Sequence, residues 1–118
     1  MTRIVLRVDF DGDARLGPGK IELLERIREH GSIAAAGRSM GMSYRRAWLL
    51  VDSLNRCFRE PVVATQLGGR GGGAAAVTAF GERIIARYRA MKAAAEAAVA
   101  GDLADLAAAL AGRTREGG

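Results

Sequence analysis

The chain is short of the residues that build most catalytic and metal chemistry. Among 118 residues there is one cysteine, Cys57, and one histidine, His30. A single cysteine excludes an internal disulfide framework and a cysteine-built zinc site. His30 has no second His, no Cys and no carboxylate cluster near it in sequence, so neither a metal nor a catalytic role is assigned. Asp9, Asp11 and Asp13 lack the further oxygen ligands and the distal Glu of a calcium loop. Glycine is plentiful, but no G-x-x-x-x-G-K-[ST] phosphate loop is present. No enzyme class fits and no cofactor is implied. Aromatics make up only 5%, so a core must be built from Ile, Leu, Val, Met and Ala. No apolar run approaches the ~20 residues that span a bilayer. Met1-Thr2-Arg3 leads directly into an alternating segment, without the apolar stretch of a secretory leader. The expectation is a cytoplasmic protein without a membrane partner. Acids are outnumbered, 13 against 18 Lys and Arg, giving a net charge of +5 and a pI near 10.3. That balance favours an anionic partner, nucleic acid first.

What is present centres on Gly31 to Phe58, GSIAAAGRSMGMSYRRAWLLVDSLNRCF. Ser32 and Ser43 are each placed to accept a hydrogen bond from the free N–H groups of a helical turn that follows. Met40-Gly41-Met42 between them reads as a tight corner. The segment therefore predicts a short helix, a glycine turn and a longer helix, the helix-turn-helix arrangement whose second helix can enter a DNA major groove. At about 100° per residue, Ala47, Trp48, Val51, Leu54 and Phe58 form the expected buried stripe of the second helix, with Tyr44 also on the buried side. Arg45, Arg46, Leu49, Ser53 and Arg56 fall opposite, with Asp52 at the edge. Arginines at the start of such a helix can grip guanine O6 and N7. Gly37, inside the Ala-rich first helix, costs roughly 1 kcal/mol against Ala and suggests either a close backbone approach or simply a weaker helix.

Before this unit, Arg3 to Phe10 alternates as a strand with one buried face, Asp11-Gly12-Asp13 turns the chain, and Gly17-Pro18-Gly19 opens a helix ending at His30-Gly31. After it, Val62 to Leu67 and Ala74 to Val77 flank the loop GGRGGG, residues 68 to 73. They read as a hairpin, a wing beside the helix-turn-helix, with Arg70 at its tip for the negative potential of a narrow minor groove. Thr78 caps a helix from Ala79 to about Ala100. Phe80, Ile84, Tyr88, Met91, Ala95 and Val99 recur along it at helical spacing and are assigned to a dimer contact, with packing back on the chain's own domain as the alternative. A shorter helix restarts at Gly101-Asp102 with Leu103, Leu106 and Leu110, and the tail from Gly112 reads as disordered.

The strings GSIAAAGRSMGMSYRRAW and LGGRGGGAAAVTAFGERII resemble the N-terminal DNA-binding domain of the ModE family of molybdenum-dependent transcriptional regulators. A wider resemblance is to the LysR-type winged helix. The ModE likeness covers roughly residues 4 to 110. It implies a winged helix-turn-helix, a dimer through the helix after the wing, and an inverted-repeat operator near molybdate-transport genes. It also implies DNA contacts at Ser43, Tyr44, Arg45, Arg46 and Arg70. Full members of that family carry C-terminal molbindin-type domains. A chain ending at Gly118 has no room for one, and the expectation is either a natural single-domain form or a DNA-binding fragment, with a possible separate chain sensing molybdate.

The expected fold is mostly α with a small β component: a winged helix-turn-helix with an N-terminal strand and a C-terminal dimerisation helix. Residues 1–78 form the DNA-binding domain, 79–112 a helical dimerisation arm and 113–118 a disordered tail. The expected function is a dimeric, sequence-specific regulator contacting double-stranded DNA through Ser43, Tyr44, Arg45, Arg46, Arg56 and Arg70. A nonspecific architectural DNA protein and a winged-helix protein-interaction module remain open beside it.

Overall fold

The computed structural model describes residues 2–66 and 73–112. Arg70, most of the expected loop and the tail 113–118 lie outside the described residues. The chain opens with two minimal strands, β1 (Val8–Asp9) and β2 (Arg15–Leu16), paired antiparallel. The expected strand over Arg3 to Phe10 is thus shortened to two residues. Its alternation survives in the burial, with Ile4, Leu6 and Val8 turned partly inward. Residues 3 to 7 have no partner strand among the described residues to complete a ladder.

Helix α1 (Pro18–His30) starts with Pro at its first position and stops at Gly31, whose φ of 75° closes a left-handed cap donating to Ile27 O. Ile21, Leu23, Leu24 and Ile27 are buried on one face. Helix α2 (Ile33–Ser39) and helix α3 (Tyr44–Cys57) follow, capped by Ser32 Oγ accepting from Ala35 N and Ser43 Oγ accepting from Arg46 N. Gly41, at φ 75°, makes the corner between them. The close approach expected at Gly37 is present: a Cβ there would lie 2.7 Å from Ala47 Cβ. Strands β3 (Val63–Gln66) and β4 (Ala74–Val77) form an antiparallel hairpin in the register Val63–Val77 to Gln66–Ala74. Ala75 N donates to Gly31 O, which fixes the hairpin to the corner between α1 and α2.

Helix α4 (Ala79–Ala98) and helix α5 (Ala100–Ala108) complete the order. Thr78 Oγ1 caps α4 by accepting from Gly81 N and itself donates to Pro61 O. The first half of α4 belongs to the core and not to a separate arm. Ile85 and Tyr88 are buried with α1, α3 and the hairpin base, and Phe80 and Ile84 pack against the same cluster. Tyr88 thus lies in the chain's own core and not on the expected dimer stripe, while Phe80 and Ile84 stay half-buried beside it. Periodicity showed an apolar face, and this chain's own core covers its N-terminal half. Met91 remains exposed and Ala95 and Val99 half-buried. No residue of α5 is buried, and Leu106 and Leu110 are 67% and 54% exposed. The Cα radius of gyration of 17.6 Å exceeds the roughly 13–14 Å of a compact chain this long. The excess matches an arm made by the second half of α4 and α5.

Two ion pairs tie α1 to α4. The Arg28 guanidinium donates twice to Glu82, at 3.1 and 2.9 Å, and Arg89 donates to Glu25. The hydrogen bonds from Arg28 hold the Glu82 carboxyl below its ordinary value of 4.5. A depressed carboxyl stabilises the fold above its unfolded pKa, and that contribution is lost as pH falls through the lower folded value. We expect Glu82→Gln to cost about 0.5 kcal/mol at pH 7, discounted for solvent screening, and to cost nothing below the folded pKa. Urea melts across that range check this; a cost independent of pH would refute it.

Candidate nucleic-acid interface

Helix α3 sorts its side chains into three sectors. Ala47, Val51 and Leu54 form a narrow buried strip against α1 and α2. Opposite stand Arg45, Arg46 and Leu49, all exposed, with Leu49 at 47%. Among the described residues no carboxylate pairs with Arg45 or Arg46, whereas Arg26, Arg28, Arg56, Arg89 and Lys92 each have an acid beside them. The first turn of α3 contains no acid. The helix N-terminus therefore presents two unneutralised guanidinium groups and an apolar side chain to solvent, on a rigid, serine-capped element.

Arg56 differs from them. It lies three turns further along, about 16 Å from Arg45 at 1.5 Å per residue. Its guanidinium pairs with Asp52 at 3.2 Å, and Asp11 and Asp13 border the same surface depression. Carboxylates on this side oppose a phosphate backbone, so the cationic surface is concentrated at the start of α3. Ser43 stands at the edge of that surface with its oxygen committed to the cap.

The third sector was misplaced by sequence reasoning. Trp48 was expected in the core and Tyr44 on the buried side, yet they are 45% and 58% exposed. The buried strip is narrow because Ala47 fits directly against Gly37. Tyr44 and Trp48 lie roughly 60° and 100° around the helix from Ala47, on the flank that faces the hairpin. Together with Ser32, Thr65 and Gln66 they line a cleft of about 190 Å³ between α3, the start of α2 and the hairpin.

Asn55 occupies the same flank two turns on, and the sequence reading passed over it. Its Oδ1 accepts from Val62 N at 2.8 Å and Val63 N at 3.1 Å, while its Nδ2 donates to Val63 O at 3.1 Å. One side chain thereby sets where the hairpin leaves α3. A polar residue about 80° from the centre of a buried strip was the available signal. Cys57 is half-buried, and burial pushes its thiol up, away from a reactive thiolate. His30 is exposed at the end of α1. No His, Cys, Asp and Glu grouping suited to a metal occurs among the described residues. Among the same residues, no helix is long and apolar enough to cross a membrane.

No family model matches the chain. It is similar to the molybdenum transport protein ModE of Azotobacter vinelandii, with 40% identity over 93 residues, 77% of this chain and 34% of that protein. It is similar also to the molybdenum-pterin-binding protein MopA of Rhodobacter capsulatus, with 47% identity over 77 residues, 65% of this chain and 29% of the relative. A third relative is the DNA-binding transcriptional dual regulator ModE of Escherichia coli (strain K12), with 37% identity over 71 residues, 60% of this chain and 27% of the relative. The chain thus spans about a third of the length of these relatives.

Proposed function

We propose that this chain is a winged-helix DNA-binding module of the ModE type. In this reading it acts as a dimer on an inverted-repeat duplex and controls genes connected with molybdenum. The observation that carries the reading is the pair Arg45 and Arg46, outward on the first turn of α3 with no carboxylate paired to them among the described residues. Recognition helices contact base edges with their N-terminal residues, and guanidinium groups suit guanine O6 and N7. Leu49 beside them supplies an apolar contact for a thymine methyl. The β3–β4 hairpin takes the part of the wing, with Asn55 fixing its angle to α3. The relatives' names, a ModE transport protein, a DNA-binding ModE regulator and a molybdenum-pterin-binding protein, support the regulatory and molybdenum parts of the proposal. The dimer contact is proposed for the arm. Met91, Leu106 and Leu110 are exposed, and with the half-buried Ala95, Val99 and Leu103 they leave an apolar surface that the described part of the chain covers only in part.

The test is fluorescence anisotropy against a duplex selected by the chain from a randomised pool and against a scrambled duplex, over a salt series. A preference of about 10³ for the selected duplex is expected of a specific binder. The double variant Arg45→Ala/Arg46→Ala is expected to lose about 100-fold on the selected duplex and with it most of the preference over the scrambled one. Full affinity and selectivity in that variant would refute the reading. Equal binding of wild type to both duplexes would make the chain a nonspecific DNA protein, and no binding at low salt a protein-interaction module.

A further inference from the structure

We infer that Arg26, on α1, is a positioning residue for sequence readout: its guanidinium fixes the end of α2 and, through it, the angle at which α3 meets a duplex. The inference deepens the DNA-binding reading above and rests on it. Helix α2 is seven residues long. Isolated helices below roughly 12–15 residues are marginal in water, so the direction of α2 is set by what grips it. The last four carbonyls of a helix have no partner within its own ladder. Three of those in α2 are answered from nearby in sequence. Ala36 O accepts from Ser39 Oγ at 2.7 Å, Gly37 O from Met40 N at 2.9 Å and Met42 N at 3.0 Å, and Arg38 O from Gly41 N at 3.0 Å. The fourth, Ser39 O, is answered from another helix. It accepts from Arg26 Nη1 at 3.2 Å, and the same nitrogen donates to Ser39 Oγ at 2.9 Å.

Glu22, one turn earlier on α1, holds Arg26 Nη2 at 2.7 Å and so aims the guanidinium. Arg26 is half-buried, and Nη1 and Nη2 are committed to Ser39 and Glu22. It therefore acts through α3 and not on DNA itself. Between Ser39 and the Ser43 cap of α3 lie Met40, Gly41 and Met42. A shift of the Ser39 carbonyl passes through this short corner into the first turn of α3, where Arg45 and Arg46 stand. The fork also refers the corner to α1, the helix that the Arg28–Glu82 and Arg89–Glu25 pairs join to α4. Recognition helix and arm thus share one frame. In a dimer, the contact that fixes the corner fixes the angle of each recognition helix relative to the arm, on which reading of both half-sites depends.

A contact biases a geometry by no more than its own free energy, which bounds the expected effect. Arg26→Met keeps the apolar stem and removes the fork. By fluorescence anisotropy it is expected to lower the preference for the selected over the scrambled duplex about tenfold, the worth of a hydrogen bond from a charged donor. The preference is a ratio, so the lost charge, which weakens both duplexes alike, cancels from it. Ser39→Ala deletes one of the two acceptors and leaves the carbonyl, and it is expected to lose less. The double variant Arg26→Met/Ser39→Ala is expected to lose no more preference than Arg26→Met, because both changes remove one contact. Each variant is first shown by circular dichroism to be folded at the assay temperature. A role in the fold alone would lower affinity for both duplexes together and leave the ratio untouched. An unchanged ratio in Arg26→Met, or losses that add in the double variant, would overturn the inference while leaving DNA binding intact. A wild-type chain that does not distinguish the two duplexes would instead remove the underlying reading, and the two failures are distinct.

Discussion

Tyr88→Ala is expected to lower the stability of the chain by about 4 kcal/mol, the range for removing a large aromatic side chain from a core. Tyr88 is 1% exposed and lies among the largest fully buried side chains. Its ring packs in the cluster shared by α1, α3, the hairpin base and α4. Its hydroxyl donates to Leu6 O at 2.6 Å, across 82 residues of sequence, and so holds the N-terminal segment to α4. The loss amounts to a large share of the 5–15 kcal/mol by which native domains are stable. It should move the thermal midpoint by roughly 15 °C. Tyr88→Phe keeps the ring and is expected to lose only about 1 kcal/mol, the ordinary net worth of one hydrogen bond at a half-buried residue such as Leu6. Denaturant melts at two protein concentrations separate a core residue from a dimer contact, because only the latter makes the midpoint of wild type and variant converge on dilution. A loss under 1 kcal/mol for Tyr88→Ala that depends on concentration would return Tyr88 to a subunit interface.

The same residue shows where the sequence stopped being informative. Phe80, Ile84, Tyr88, Met91, Ala95 and Val99 form one unbroken helical stripe, and periodicity cannot say that one end meets the chain's own core and the other does not. The helix pair α2–α3 was legible because its signals are local: Ser32 and Ser43 cap, Gly41 turns, and Gly37 yields the space that Ala47 needs. Strand β2 was missed because two residues carry no pattern, and pairing with β1 creates it. Trp48 was misplaced because a wheel assigns a residue 100° from the strip centre to neither side, and hydrophobicity then decided for the core. In the candidate interface, the charged face was readable from composition and position. The neutral flank of Tyr44, Trp48 and Asn55 was not, because its meaning depends on a hairpin that arrives from later in the chain.

Trp48 and Asn55 also explain why α3 and the hairpin act as one surface. Asn55 satisfies the Val62 and Val63 N–H groups and the Val63 carbonyl from α3, so the hairpin base cannot slide without stranding three backbone groups. Phe58, just past α3, stacks edge-on to Phe80 at 5.8 Å and to Phe10 at 6.1 Å, joining the same base to α4 and to the N-terminal turn. Position of the hairpin is thus set by the helices on both sides of it.

Gly81→Ala tests that coupling at its tightest point and is expected to cost about 3 kcal/mol, the upper part of the range for overpacking. A Cβ on Gly81 would lie 2.3 Å from Val62 O and 2.8 Å from Val77 Cγ1. The Val62 peptide has little freedom to retreat. Its N–H is held by Asn55, and its oxygen accepts from Thr78 N at 3.0 Å. Helix α4 must therefore lift from the hairpin base, straining the Thr78 cap, whose hydroxyl bridges Gly81 N and Pro61 O. Gly37→Ala provides the contrast. There the clash is with a single methyl, Ala47 Cβ at 2.7 Å, and no backbone atom outside its own helix lies closer than 3.7 Å. The gain of about 1 kcal/mol in helix propensity also offsets part of the strain. Gly37→Ala should accordingly lose roughly half as much as Gly81→Ala. Paired urea melts give the ordering. If Gly81→Ala unfolds at the wild-type midpoint, the base of the hairpin has slack. The register that Asn55 and Thr78 impose on it would then not be what aligns the cleft with α3.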